Sequence, residues 1–334
     1  TPGTLTEDTL LDSKKNNFMI SLIKSTEGLG VSWIDVSTGD FYTQTLSLKE
    51  RGEDMVLASL LARLSPVEII VADSYLQNPS IFSILNEYRE KLTVLPQARF
   101  NADNARKRLL DVFQVSTLDA FGSFSKAEVI SSGILIDYIE TTQKGKLPRI
   151  TPPIKLYENN VMEIDASTRR SLELLESTGS DKGASLLAVM DRTITGAAGR
   201  LLASRIASPL LDITEINHRL DIVEFFLNHG RTRADFRELL RGCPDVERAV
   251  SRLSLGRGGP RDLAAIRSAL AVIPKIKNLL RSSCGSAEGK ILPDCPDALK
   301  GLISNLGFHD ALVEHLSKAL ADDLPLLARD GGFI

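Results

Sequence analysis

Hydrophobic and polar positions alternate near the start of the chain and shift to a three-to-four-residue repeat through most of its remainder. Phe18 to Ile23, Gly30 to Val36 and Phe41 to Leu46 are short and rich in β-branched and aromatic residues, and turn chemistry from Ser37 to Asp40 separates the last two. They predict a three-stranded meander. Helical spacing follows at Asp54 to Leu64, Ile81 to Lys91 and Asn101 to Phe113, with apolar strands at Val67 to Val71 and Leu92 to Leu95 between them. A meander followed by such alternation predicts an α/β layered sheet. A longer helix, Ser125 to Gln143, carries Val129, Ile130, Ile134, Ile136 and Ile139.

From Lys144 the periodicity lapses. Gly145, Pro148, Pro152 and Pro153 break both repeats, so 144–160 reads as a linker between a first domain at 1–143 and an all-helical second domain at 161–334. The second domain opens with Asp165 as an N-cap and Leu172, Leu174 and Leu175 as the apolar side of its helix. After Thr195 come Gly196, Gly199 and Ala203 on one helical face, a strip that predicts close approach of another backbone. Asp212 and Glu215 have the spacing of a capping box. Ile216, Leu220, Val223 and Leu227 then repeat at helical spacing until Gly230. Further helices are expected at Thr232 to Leu240, Pro244 to Leu255 and Pro260 to Ile273, where Pro274 should kink or break the last. A surface loop is expected between Ser282 and Asp294, and helices near Pro296 to Asn305 and Ala311 to Ala321.

Composition narrows the function classes. The 334 residues exceed one ordinary core, and 43% apolar content suffices for two. A formal charge of -3 provides no global attraction to nucleic acid, and 5% aromatics argues against a base-stacking platform. Cys243, Cys284 and Cys295 lack CxxC spacing and leave one over, which points to a reducing compartment without structural disulfides. No apolar run reaches the roughly 20 residues of a spanning helix, so no membrane role is expected.

Motifs for catalysis are weak. Gly145-Lys146 has Glu140 where a P-loop needs its first glycine and Leu147 where it needs Ser or Thr. Gly179 to Gly183 precedes a helix but lacks a leading strand, and reads as a helix connection rather than a phosphate nest. His218, His229, His309 and His315 form no metal-ligand pattern, and no GxSxG elbow occurs. Asp35 and Asp40 are the acids available to a two-metal nuclease, without an evident partner cluster. They read as a polar outward position and a turn acid. No catalytic, cofactor-binding or metal-binding residue is therefore assigned. The segment from Arg231 to Arg261 holds eight arginines and no lysine against four acids. Arg233, Arg237 and Arg241 recur at i, i+4 and i+8 and are the weak candidates for DNA-phosphate contact, as is Arg106-Lys107-Arg108. The competing reading is a solvated or ion-paired helix face.

Order and spacing carry a more specific signal. Asp165 to Glu173, Thr193 to Leu202, Pro209 to Asp212, Asp245 to Arg248, Arg252 to Arg257 and Pro260 to Leu263 resemble successive stretches of the lever, or core, domain of the MutS family of DNA mismatch-repair proteins. Gly30 to Phe41 resembles a strand pair of that family's connector domain, and Thr1-Pro-Gly-Thr4 the junction preceding it. Asp330 to Ile334 resembles the turn leaving the first half of the lever. The resemblance implies an RNase H-like connector followed by the first half of a helical lever, taken from a longer chain.

In that family the full-length protein binds mismatched DNA, dimerises, hydrolyses ATP with magnesium and meets a MutL-type partner through the connector. The ATPase domain and the Phe-X-Glu mismatch wedge would lie outside this stretch; Phe236-Arg237-Glu238 sits in a predicted helix and is a chance match. The implied role is a non-enzymatic structural and allosteric relay. The alternative is a free-standing helical scaffold or regulatory binding module with no DNA role. Within the family the Ser32 to Phe41 wording resembles the fungal mitochondrial branch, with a mitochondrial or nuclear location as the expectation.

Overall fold

The computed structural model describes residues 1–49, 52–157, 160–179, 183–285, 295–325 and 328–333. The chain forms two compact units, Thr1–Asp191 with Leu202–Pro209, and Arg192–Leu201 with Leu210–Ile334.

In the first unit, β1 (Met19–Lys24), β2 (Leu29–Asp35) and β3 (Asp40–Leu46) form the antiparallel meander. After α1 (Glu53–Leu64), β4 (Glu68–Ala72) pairs parallel to β1. After α2 (Pro79–Glu87), β5 (Leu92–Leu95) pairs parallel to β4. Two helices follow, α3 (Ala102–Phe113) and α4 (Lys126–Thr142). The last strand, β6 (Ile154–Lys155), joins β3 in parallel, giving the order β5-β4-β1-β2-β3-β6.

Successive side chains on a strand point to opposite faces, and the sheet exploits this by burying both. Ile20, Leu22, Ile69 and Val71 meet Leu57, Leu61, Ile81 and Leu85 of α1 and α2. Met19 and Ile70 meet Leu109, Ile134, Leu135 and Ile139 of α3 and α4. Two faces in contact with helices explain why β2 is buried along its whole length.

Helix α4 is capped by a reciprocal box: Glu128 N donates to Ser125 Oγ (3.1 Å) and Ser125 N to Glu128 Oε2 (2.8 Å). Small residues set how closely it lies on the sheet. A Cβ on Gly30 would stand 2.4 Å from Ala127 Cβ and 2.8 Å from the Ala127 carbonyl carbon, and one on Gly133 would stand 2.6 Å from Ala105 Cα. Four of the hydroxyls that enter the interface between α4 and the sheet satisfy one another, while Ser21 Oγ on β1 is buried without a hydrogen-bond partner among the described residues. Ser32 Oγ lies 2.8 Å from Thr43 Oγ1, 2.6 Å from Ser131 Oγ and 2.9 Å from Ser132 Oγ.

The segment expected as a linker is docked rather than patternless. Thr151 N donates to Gly39 O (2.9 Å), Leu156 N to Thr43 O (2.8 Å), and Leu147 and Ile150 pack on the core. A two-residue strand needs only backbone groups at an open sheet edge, so no side-chain period announces it.

Helix α5 (Ala166–Ser171) starts at Asp165, whose Oδ1 accepts from Ser167 N and Thr168 N, both at 2.9 Å. It is shorter than the leucine pattern predicts: Glu173 turns to φ 47 and Leu172 is exposed. Helix α6 (Leu186–Met190) is capped by Ser185. Helix α7 (Gly196–Ala207) is capped by Thr195, whose Oγ1 accepts from Ala198 N at 3.2 Å. On its expected small-residue strip Gly199 is buried, and Gly196 and Ala203 are half-buried.

The second unit is helical: α8 (Ile213–Asn228), α9 (Gly230–Arg241), α10 (Val246–Ser254), α11 (Pro260–Ser283), α12 (Asp297–Asn305) and α13 (Asp310–Ala319). Asp212 caps α8 through Thr214 N (2.8 Å), while Glu215 turns towards His218 (3.5 Å) instead of closing a box. Asp245, not Pro244, supplies the start of α10.

The break offered beside a kink for Pro274, and the expected absence of a structural disulfide, are corrected at α11 and its carboxyl end. Pro274 does not end it: the helix runs 24 residues, because Ala269, Ile276 and Leu280 are buried on either side of the lost hydrogen bond. Nor are the cysteines all free. Cys284 and Cys295 form a disulfide (Cα–Cα 5.0 Å) within the core of Phe225, Ile276, Leu280, Leu299 and Ile303. The antiparallel return of α12 beside α8 and α11 brings them together, which no sequence spacing reveals.

The Gly30 contact has a direct test. Gly30→Ala should overpack against Ala127 and lower stability by about 1–3 kcal/mol, read as a fall in Tm. The double variant with Ala127→Gly should recover part of the loss; no loss in the single variant would mean that α4 is not seated against β2.

Candidate functional site

The carboxylates of the first unit are committed to structure. Asp35 ends β2 fully buried, correcting the outward position expected for it, and accepts from Asn17 N (2.8 Å), Ser37 N (2.9 Å) and Ser37 Oγ (2.6 Å). Its carbonyl takes Gly39 N (2.8 Å), so Asp35 organises the β2–β3 turn. Asp40 accepts from Thr38 Oγ1 at 2.9 Å. Buried Glu68 accepts from Gly3 N (2.9 Å), Thr93 Oγ1 (2.9 Å) and Tyr138 Oη (2.5 Å), fastening the amino-terminal turn to the sheet. Burial and the bond to Glu68 raise the Tyr138 phenol above its ordinary range. Among the described residues no group of three or more His, Cys, Asp or Glu could hold a metal ion.

The weak phosphate motifs do not assemble a cradle. Gly145 follows the carboxyl end of α4 at φ 79, and its N–H donates to Glu140 O (2.8 Å), so the turn closes a helix rather than opening one towards a phosphate. The Gly179–Gly183 loop lies largely outside the described residues. Arg108 pairs with Asp137 (2.6 Å) and Glu140 (3.2 Å). It lines an open cavity of about 470 Å3 where Lys107 and Arg108 face Asp111 and Glu140, two charges of each sign.

Arg233, Arg237 and Arg241 all lie on α9. Arg233 donates to Phe226 O (2.8 Å), Arg237 to Arg192 O (2.8 Å), and Arg241 pairs with Glu238. Arg233 and Arg241 are exposed and Arg237 is half-buried. Phe236 of the chance Phe-X-Glu triplet stacks on Phe226 at 5.6 Å, inside the helical packing.

The strongest charge centre was not among the sequence candidates. Arg200, buried on α7, donates to Asp245 Oδ2 (2.6 Å), Asp245 Oδ1 (3.2 Å) and Glu247 Oε2 (3.0 Å). This is the bidentate fork that guanidinium geometry favours. Burial by itself would raise the Asp245 carboxyl, but the hydrogen bonds and charge of Arg200 hold it below the ordinary range. Only its place between Gly199 and Leu201, in a helix with a small-residue face, could have marked Arg200 as buried.

Helix α8 presents a different kind of surface. Its buried face is Phe225 with half-buried Ile222 and Phe226, while Leu220, Val223 and Leu227 of the expected apolar side stand 56%, 62% and 68% exposed, in line with Ile213 at 73%. The helix thus has two apolar faces, and this unit covers one.

Comparison with known proteins also divides the chain in two, at an earlier boundary than the compact units. A family model described as MutS domain II matches residues 17–151, and one described as MutS domain III matches residues 167–334. The DNA mismatch repair protein MutS of Roseobacter denitrificans is 43% identical over 334 residues, 100% of this chain and 36% of that protein. Those of Ruegeria pomeroyi and Paracoccus denitrificans are 42% and 41% identical with the same coverage. The chain therefore spans about a third of the length of these curated relatives. They are bacterial, and the fungal mitochondrial affinity expected from Ser32 to Phe41 is not shown by them.

The Arg200 centre predicts a stability change with a pH signature. Arg200→Met leaves Asp245 without its counter-charge and should cost on the order of 3 kcal/mol, the low end for breaking a buried pair because Asp245 keeps some solvent. A depressed carboxyl contributes stability above its unfolded pKa, about 3.9, and loses it as pH falls through the folded value. The wild-type advantage should hold at neutral pH and vanish in acid below that range. Denaturant melts of both proteins across pH check this; a gap unchanged in acid would exclude the ion pair as its cause.

Proposed function

This chain belongs to the MutS family of DNA mismatch-repair proteins, and on that premise we propose that it is the connector and first half of the lever of such a protein, acting as a structural and allosteric relay. The observation that carries the proposal is the ordered match of MutS domain II and then domain III along one chain, at about 40% identity throughout. In this reading residues 1–143 are an RNase H-like connector, 144–160 the link and 161–334 the lever portion. The antiparallel β1–β2–β3 meander with β4 and β5 added in parallel supports the RNase H-like assignment.

The full-length protein would bind mispaired DNA, hydrolyse ATP with magnesium, dimerise and meet a MutL-type partner through the connector. Neither ATP hydrolysis nor mismatch recognition is assigned to residues of this stretch. Its Gly-Lys pair closes a helix, its acids are bound to backbone amides and hydroxyls, and Arg200 is committed to Asp245 and Glu247. The uncovered apolar stripe of α8 fits a lever helix that another part of a longer chain packs against. Arg233, Arg237 and Arg241 on α9 are the residues proposed to reach a DNA phosphate in the assembled protein, Arg233 and Arg241 from exposed positions.

Two titrations with heteroduplex and matched duplex, at low and physiological salt, and an ATPase assay test the relay reading. The chain should show no mismatch preference and no magnesium-dependent turnover. Preference above a few-fold, or turnover that survives purification, would overturn it. Association with a cognate MutL homologue is expected through 1–143, and its absence would leave the connector as an internal spacer.

A further inference from the structure

A small cavity in the first unit brings together two arginines from distant parts of the sequence. Its walls are β3 with the residues after it, α1, and the segment from Val161 to Arg169, and it holds about 50 Å3. On the measure by which a water needs about 10–15 Å3, this is room for about three to five waters. A tetrahedral oxyanion fits and a nucleoside does not. Arg63 of α1 and Arg169 of α5 both line it, with Gln44 and Ser59 beside them.

The charge balance of this cavity is unusual. Arg169 is 8% exposed, and its guanidinium donates to two neutral carbonyls, Ile164 O (3.0 Å) and Ala207 O (2.6 Å). Arg63 donates to the neutral Gln44 Oε1 (3.0 Å) and lies over the Trp33 ring at 5.7 Å. Among the described residues no carboxylate forms an ion pair with either guanidinium. Asp165 favours the charge of Arg169 without reaching ion-pair distance, and its oxygens already accept from Ser167 and Thr168. Glu163 lines the cavity from an exposed position. Arg169 is buried and Arg63 half-buried, and two cations facing one space repel each other. Burial, with the charge of Arg169 added, lowers the Arg63 guanidinium to about 10, and burial likewise lowers that of Arg169.

Buried charges are ordinarily paired, and guanidinium forks match oxyanions in geometry. We propose that this cavity is an anion site taking a single tetrahedral oxyanion of the phosphate class, held between Arg63 and Arg169 with Ser59 as a neutral donor. The site is independent of the relay function, since neither arginine belongs to the DNA-phosphate candidates on α9.

The test is thermal unfolding of the chain against inorganic phosphate, with sodium chloride adjusted to constant ionic strength so that screening is equal. Specific binding raises Tm in proportion to the logarithm of phosphate concentration once the site is filled. Arg63→Gln should abolish that rise while leaving the phosphate-free Tm unchanged or higher, because it removes the repulsion. Arg233→Gln serves as a control that keeps the response. An equal rise in Arg63→Gln, or none in the wild type beyond the chloride series, overturns the site. A rise with acetate as large as with phosphate overturns its tetrahedral preference.

Discussion

The seating of α4 on the sheet is the contact from which the first unit takes its shape. Six of its residues, Val129, Ile130, Ile134, Leu135, Ile136 and Ile139, are buried. At about 1.5–3 kcal/mol for each fully buried side chain, their transfer is worth on the order of 10 kcal/mol. That is an upper bound, since the unfolded chain already hides part of this surface. Net stability is itself only about 5–15 kcal/mol, so the helix cannot lift away without loss of the fold. The absence of a side chain at Gly30 and the mutual satisfaction of four hydroxyls permit the approach, and Gly133 does the same for α3 against α4.

Electrostatics in this chain hold structure together more than they face outward. Arg200 is 4% exposed and engages two acids, and Arg252 pairs with Asp262, whose other oxygen accepts from Gly259 N (2.8 Å) at the start of α11. Exposed pairs such as Arg241–Glu238 contribute about 0–1 kcal/mol, against about 3–5 when a buried pair is broken. The arginines that matter for stability are therefore not those forming the regular ladder on α9. A net charge of -3 gives little nonspecific attraction to DNA.

Helix α8 ties these observations to the longer protein. Its Phe225 side closes the core with α11 and α12, and its Leu220, Val223 and Leu227 side remains open. A stripe of this length on one helix is the kind of surface that an additional helix covers.

Local pattern determined a good deal by itself. Strand alternation located β1 to β5, helical spacing located α1, α3 and α4, and side-chain chemistry placed the caps at Asp165 and Asp212, because each depends on residues within one or two turns of one another. Ordered motifs identified the family, since their spacing is a property of the chain alone. Tertiary structure decided the rest. Which face of α8 is buried depends on where α11 and α12 lie; Pro274 is tolerated because packing on both sides outweighs one lost hydrogen bond; Asp35 turns inward because Asn17 and Ser37 bring donors to it. The Cys284–Cys295 disulfide, the Arg200 centre and the Arg63–Arg169 cavity each join residues from different elements. A sequence records the chemistry of such residues but not their distances, and at these sites the distances determine whether a charge is paired, a thiol bonded or a cavity electropositive.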